Sequence, residues 1–297
     1  VVMGKDVTVM NHRVGQAQAL RDALAKLLYS RLFQWIVRRL NTALIGEEPM
    51  SEAGTRLIGV LDIAGFESFE LNSLEQLLIN LSNEHLQQKF NQNVLKSEME
   101  DCQKEGIEAP VVEGSFADNN DILTLLDAKG GICHLLDDAC TFTSAATTDD
   151  SFVNKVISAH QSNKRLIVPK IRAKDPQFGI KHFAGDVVYN AAGWIEKNLE
   201  TMSTSLVGLL EKSCVGILGD IAEIVAETQG TGARKAATVS ARFRSSLREL
   251  MAKISKACPH YIRCIKPNQA CVPGRFHAIS TLEQLLFSGV LAAVHIR

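Results

Sequence analysis

The sequence contains no C-x-x-C pair, no H-E-x-x-H, no G-x-S-x-G and no Cys/His cluster at ligand spacing. Zinc ligation and a hydrolase nucleophile elbow are therefore without support. Its seven cysteines are odd in number, which argues against a secreted disulfide framework and for reduced thiols. No apolar stretch approaches the length that spans a bilayer, and Val1-Val2-Met3-Gly4-Lys5-Asp6 lacks the layout of a signal peptide. Lys+Arg is 32 against Asp+Glu 33, so no whole-chain charge draws the protein to nucleic acid or an anionic membrane. There is no internal repeat and no low-complexity tract. The chain also opens without Met and stops at His295-Ile296-Arg297 within a helical pattern, and the expectation is a cut through a longer protein.

What is present is an ordinary globular balance, 46% hydrophobic and 22% charged over 297 residues, enough for one or two domains. Leu20, Leu24, Leu27, Leu28, Leu32, Trp35, Ile36 and Leu40 recur at three and four residues and predict a long amphipathic helix over 16–41. Leu57-Ile58-Gly59-Val60-Leu61 is a nearly unbroken apolar run, which predicts a strand covered on both faces. A second long helix is expected from Ser73, continuing to about Glu105. Two short periodic segments between Phe116 and Cys140 flank Ala128-Lys129-Gly130-Gly131 and read as helix–loop–helix. Phe178–Tyr189 alternates around Ala184-Gly185-Asp186 as a hairpin. Helices are expected near Met202–Ile217, Leu218–Glu227, Val239–Ala257 and Leu282–Ile296, with a short strand at Tyr261–Ile265 ended by Pro267. Gly230–Ala237 is small, Gly-rich and reads as a surface loop.

The chemistry concentrates in Asp62-Ile63-Ala64-Gly65-Phe66-Glu67. A carboxylate at a strand end can hold Mg²⁺ through water, because Mg²⁺ dehydrates reluctantly. A glycine lets a backbone N–H approach a phosphate with no Cβ in the way. A second carboxylate, Glu67, can gate the site or orient an attacking water. Taken alone, D-x-A-G-x-E is also what ordinary loop chemistry produces; the apolar run before it and the long helix after it suggest a sensor joined to a lever. No G-x-x-x-x-G-K-[ST] loop occurs, so the residues present amount to half a nucleotide site. His182 and His260 read as core or cap residues rather than bases.

Several motifs, in order along most of the chain, resemble the myosin motor domain. They include Asp22–Lys26 with Tyr29–Phe33 and Trp35, then Leu61–Glu67 with Phe69-Glu70 and Asn72-Ser73. Asn83-Glu84, Leu86–Gln88 and Phe90-Asn91 follow, then Lys104–Ile107, and Phe116 with Asp118-Asn119 and Leu135–Asp137. His182–Gly185 with Val188–Asn190 and Trp194, Pro259–Asn268 and Leu285–Leu291 complete the set.

The resemblance implies a mostly helical α/β fragment of a P-loop-type motor, with long helices around a few strands of a central sheet. Its expected parts are an upper actin-binding portion (1–56), a switch II and relay portion (57–105) and a lower actin-binding portion (106–229). A joining surface loop (230–239) and a closing segment (240–297) complete them. Asp62 would hold the Mg²⁺ shell of ATP through water, Gly65 N–H would meet the γ-phosphate, and Glu67 would pair with an Arg outside this chain. Phe66 and Phe90 would belong to the relay, although Lys89 stands where the family carries an aromatic. Actin contacts would come from Asp6, Lys129, Gly130, Gly131, Arg234 and Lys235. Phe287 and Arg297 occupy the places of the family's reactive cysteine pair. Light chains or calmodulin would bind only through other regions, and the setting would be cytoplasmic and cytoskeletal. The other reading is a truncated, non-hydrolysing actin-binding module.

Overall fold

The computed structural model describes residues 2–3, 6–7, 13–45, 58–95, 101–106, 119–141, 147–169, 175–199, 210, 212–213, 215–229 and 238–288. In chain order the elements are β1 (Val2–Met3), β2 (Asp6–Val7), α1 (Val14–Ile45) and α2 (Leu74–Phe90), the last continued by a π-helical turn at Asn91–Leu95. Then come α3 (Asn120–Asp127), α4 (Ile132–Thr141), α5 (Asp149–His160), β3 (Leu166–Ile167), β4 (Gln177–Lys181) and β5 (Asp186–Asn190). The chain closes through α6 (Trp194–Asn198), α7 (Gly216–Gln229), α8 (Val239–Lys256) and α9 (Ala278–Phe287). It divides into two compact units, Val1–Leu61 with Glu200–Ala237, and Asp62–Leu199 with Thr238–Arg297.

The first unit is built on α1. Leu27 packs with Leu210, Ile221, Ala222 and Val225, so α7 lies along the apolar stripe that the sequence placed on α1. Trp35 Nε1 donates to Asp220 at 2.9 Å and fixes the register of the two helices. β1 and β2 form a two-residue antiparallel pair.

The second unit holds the larger core. Leu77 and Leu81 of α2, Leu126 of α3, Leu136 of α4, Phe178 of β4 and Trp194 of α6 are fully or almost fully buried together. Burying each such side chain contributes about 1.5–3 kcal/mol. α2 starts because Ser73 is extended and its N–H is taken by the Gln76 side chain at 2.9 Å, one half of the reciprocal cap that opens many helices. The sheet runs β3-β4-β5, antiparallel throughout, and Lys181 pairs with Asp186 across the hairpin turn.

Three sequence expectations are corrected. Residues 58–61 form no strand, and Ile58 and Val60 are each 94% exposed. Residues 261–265 form none either. A buried strand needs a neighbour on each edge to accept its hydrogen bonds and apolar layers over its faces; among the described residues nothing supplies them. The second helix is also shorter than expected as an α-helix, because the π turn begins at Asn91. Most of the helix expected over Met202–Ile217, and all of Gly230–Ala237, lie outside the described residues.

Candidate functional site

The Asp62–Glu67 loop ends against the first turns of α2, and α2 holds it through three polar side chains. Asn80 takes both groups of one residue: its Oδ1 accepts from Glu67 N–H at 2.8 Å and its Nδ2 donates to Glu67 C=O at 2.8 Å. Asn83 Nδ2 donates to Ala64 C=O at 3.0 Å. Gln76 Nε2 donates to Glu67 Oε2 at 3.1 Å, while its oxygen serves Ser73 at the helix start. Gln76, Asn80 and Asn83 follow one another at three- and four-residue spacing, so one face of the helix presents them all. That polar stripe is the signal sequence reading missed, since it looks like a solvated face until the loop folds onto it.

Downstream, the loop is tied to the sheet. Asn72 pairs with the edge of β5: Asn190 N–H donates to Asn72 C=O at 2.8 Å, and Asn72 Nδ2 donates to Val188 C=O at 3.0 Å. Phe66 packs its ring against His182, Phe183 and Phe287 at 5.3, 5.5 and 5.4 Å. Asp62 and Gly65 behave differently. Both are exposed, and neither the Asp62 carboxylate nor the Gly65 N–H has a hydrogen-bond partner among the described residues. A Cβ on Gly65 would meet nothing within 4 Å, so nothing among the described residues asks for glycine there. A free carboxylate and a free, unshielded N–H fit a hydrated metal and an anionic group arriving from outside. No group of three or more His, Cys, Asp or Glu side chains is placed to hold a metal among the described residues.

Phe90 sits where α2 passes into the π turn. Tyr261 meets it edge-on at 5.0 Å, the Arg263 guanidinium lies 5.5 Å from the ring centre, and Asn93 donates to the Tyr261 hydroxyl at 3.3 Å. The residues 261–263 that fail to form a strand thus clamp the end of the helix instead.

The tip Lys129-Gly130-Gly131 joins α3 to α4 and has structural demands of its own. Gly130 has φ +84°, a backbone region costly for L side chains. A Cβ on Gly131 would lie 2.8–3.0 Å from three backbone carbonyls. His160, at the end of α5, places its Nε2 3.0 Å from Gly130 C=O. Lys129 is exposed beside them. Asp6 belongs to β2, in the other unit, and Arg234 and Lys235 lie outside the described residues. The structure therefore brings Asp62, Gly65, Phe66 and Glu67 into one loop, with Phe90 at the far end of the helix that carries it.

Behind the tip, Arg244 of α8 donates to Asp127 of α3 at 2.9 Å and also to Asp137 of α4. Asp137 further accepts from Thr238, Ser240 and, at 3.1 Å, Asn198. Burial pushes the Asp127 carboxyl up, but the nearby His85 and Arg244 side chains outweigh it and hold the group below its usual value. Burial pushes the neighbouring Cys133 thiol up to about 12.

The chain belongs to the myosin head (motor domain) family, whose sequence profile matches residues 1–297. Among relatives, it is similar to Myosin-8 of Arabidopsis thaliana, 41% identical over 298 residues that cover 100% of this chain and 19% of that protein. Myosin-14 of the same plant is 43% identical over 277 residues, 93% of this chain and 18% of the relative. Myosin-11 is 41% identical over 278 residues, 93% of this chain and 17% of the relative. The chain carries part of a myosin motor domain, and it spans less than a fifth of the length of these relatives.

Proposed function

We propose that this chain supplies the nucleotide-sensing loop, the relay helix and part of the filament-contacting surface of an actin-activated ATPase. One observation carries the reading. The backbone of Glu67 is clamped to α2, while among the described residues the Asp62 carboxylate, the Gly65 N–H and one oxygen of Glu67 remain unpartnered. A loop held at one end and unsatisfied at the other can change partners without unfolding.

ATP with Mg²⁺, when bound, supplies the phosphoryl group and the charge that polarises it. Asp62 would orient water around the metal, Gly65 would offer its N–H to a phosphate oxygen, and Glu67 would close over the attacking water. The second carboxylate oxygen of Glu67 is open to a cation from another part of the protein. Movement of the loop passes to α2 through Asn80 and Asn83, and reaches Phe90, Tyr261 and the π turn. The full-length protein is an actin-binding, cytoplasmic motor of the cytoskeleton, with Asp6, Lys129, Gly130, Gly131, Arg234 and Lys235 toward actin. Light chains or calmodulin bind elsewhere in it. Residues 1–297 alone do not hydrolyse ATP.

In the full-length motor, Glu67→Ala is expected to bind MgATP and fail to cleave it; normal turnover would overturn the assignment of the loop. Actin-stimulated phosphate release from the isolated 297 residues would show that the site is complete without other segments.

A further inference from the structure

Behind the loop runs a series of buried polar groups that the proposed reaction does not use. Glu84 and His182 both have fully buried side chains, with Oε1 and Nδ1 2.8 Å apart. Glu84 Oε1 also accepts from Phe183 N–H at 3.1 Å, and its Oε2 accepts from Asn119 Nδ2 at 2.6 Å. His182 Nε2 lies 2.8 Å from the Tyr189 hydroxyl, and that hydroxyl lies 2.9 Å from Asn80 Nδ2. Asn80 is the residue that clamps Glu67.

The donors and acceptors in this series can be ordered from one end. Both Glu84 oxygens accept from fixed N–H donors, Phe183 and Asn119, so Glu84 is placed as an acceptor and the proton between it and His182 belongs to Nδ1. With Nδ1 carrying that proton, Nε2 faces Tyr189 as the acceptor, and Tyr189 spends its single proton there. Burial pushes the Tyr189 phenol up, so it keeps that proton. What Tyr189 offers to Asn80 is a lone pair, and Asn80 must answer with N–H. The amide oxygen is thereby turned to Glu67 N–H, and the second amide proton to Glu67 C=O. A flipped amide would set its oxygen against Glu67 C=O and its NH2 against Glu67 N–H, and would serve neither.

We propose that Asn80 is a positioning residue for the reaction, and that Glu84, His182 and Tyr189 act through it by fixing the direction of its amide. The inference rests on Glu67 being the group that closes over the attacking water. Asn80 touches no reacting atom; it sets where the Glu67 backbone stands, and therefore the arc its carboxylate can sweep. Misplacement of such a group by about an ångström costs rate by up to a hundredfold while leaving ground-state binding intact.

The test uses the full-length motor with three variants, Asn80→Ala, Tyr189→Phe and Glu67→Ala. For each, the affinity for MgATP, the single-turnover hydrolysis rate and the thermal midpoint are measured. Tyr189→Phe keeps the buried ring and removes one oxygen, so it serves if Asn80→Ala folds poorly. The expected result is hydrolysis slowed about tenfold or more in Tyr189→Phe, with nucleotide affinity within about twofold of the parent. Parental hydrolysis with a lowered thermal midpoint would mean a purely structural role and overturn the proposal. Parallel loss of affinity and hydrolysis would overturn it as well. Glu67→Ala separates the two levels. If it blocks hydrolysis while Tyr189→Phe does not, the reading of the loop stands and the positioning role falls; if it turns over normally, the reading of the loop falls first.

Discussion

Phe66 in the Asp62–Glu67 loop and Phe287, the last residue of α9, meet with ring centres 5.4 Å apart. The loop is thereby in contact with the helix that follows residues 261–277, as well as with α2. Sequence comparison with the family put Phe287 at the place of a reactive cysteine; in the structure it is an aromatic neighbour of the loop. Aromatic pairs of this kind contribute about 0.5–1.5 kcal/mol beyond the area they bury. A double-mutant cycle of Phe66→Leu and Phe287→Leu, read by urea unfolding, should give a coupling energy in that range. A coupling indistinguishable from zero would mean that the two rings contribute independently.

Arg244 is the hub of the helix–loop–helix. It is 3% exposed and bridges Asp127 and Asp137 from α8. Removing one member of a buried ionic set strands the rest, typically at about 3–5 kcal/mol. Arg244→Met should lower unfolding stability by about that amount, measured as a shifted urea midpoint. Arg248 lies 3.7 Å from Asp127 but is largely exposed, so Arg248→Met should cost far less.

The same cluster sets an acid limit. A carboxyl whose folded pKa is depressed contributes stability that is complete above its unfolded value, roughly 3.9, and is lost as pH falls through the folded value. Asp127 is such a group. Unfolding free energy should therefore hold from neutrality down to about pH 5 and fall below about pH 4. In Arg244→Met the share of that fall owed to Asp127 should shrink, which a pH series of urea midpoints on both proteins would register.

At the tip, a structural role and the proposed filament-facing role can be separated. Gly131→Ala drives a methyl into backbone carbonyls at 2.8–3.0 Å, and overpacking of this kind costs about 1–3 kcal/mol. Lys129→Ala, at an exposed position, should leave stability unchanged and weaken binding to actin filaments in a salt-dependent way. Cosedimentation across an ionic-strength series, beside thermal melts, distinguishes the two.

Thiol accessibility offers an independent check on the core. Cys133 and Cys140 are buried, and burial raises the pKa of both. Cys258, Cys264 and Cys271 are exposed. Maleimide treatment near neutral pH, followed by mass spectrometry, should label the exposed three and spare the buried two until denaturant is added.

The helices were legible because their evidence is local. The leucine spacing of α1, the periodic segments around Lys129-Gly130-Gly131 and the alternation of β5 all write their own burial into the chain, whereas β4 buries three residues in a row. Residues 58–61 show the limit of such reading. An apolar run announces that something should cover it, yet it names no partner, and a strand exists only when a second backbone takes up its hydrogen bonds. Asn80 shows the opposite limit. On a helix an asparagine suggests solvent, and its role appears only when Tyr189 arrives from β5 beside it. Asp62, Gly65 and Glu67 are legible as a group because they fall within one six-residue segment; the residues that hold the loop in place are not.

The turn at Asn91–Leu95 is wound with i→i+5 bonds, so it stores one residue more than the helix before it needs. Each residue of an α-helix advances the chain by roughly 100°. If those five residues rejoin the α ladder, whatever follows changes bearing by about that angle. The aromatic clamp at Phe90 and Tyr261 therefore sits on a phase slip.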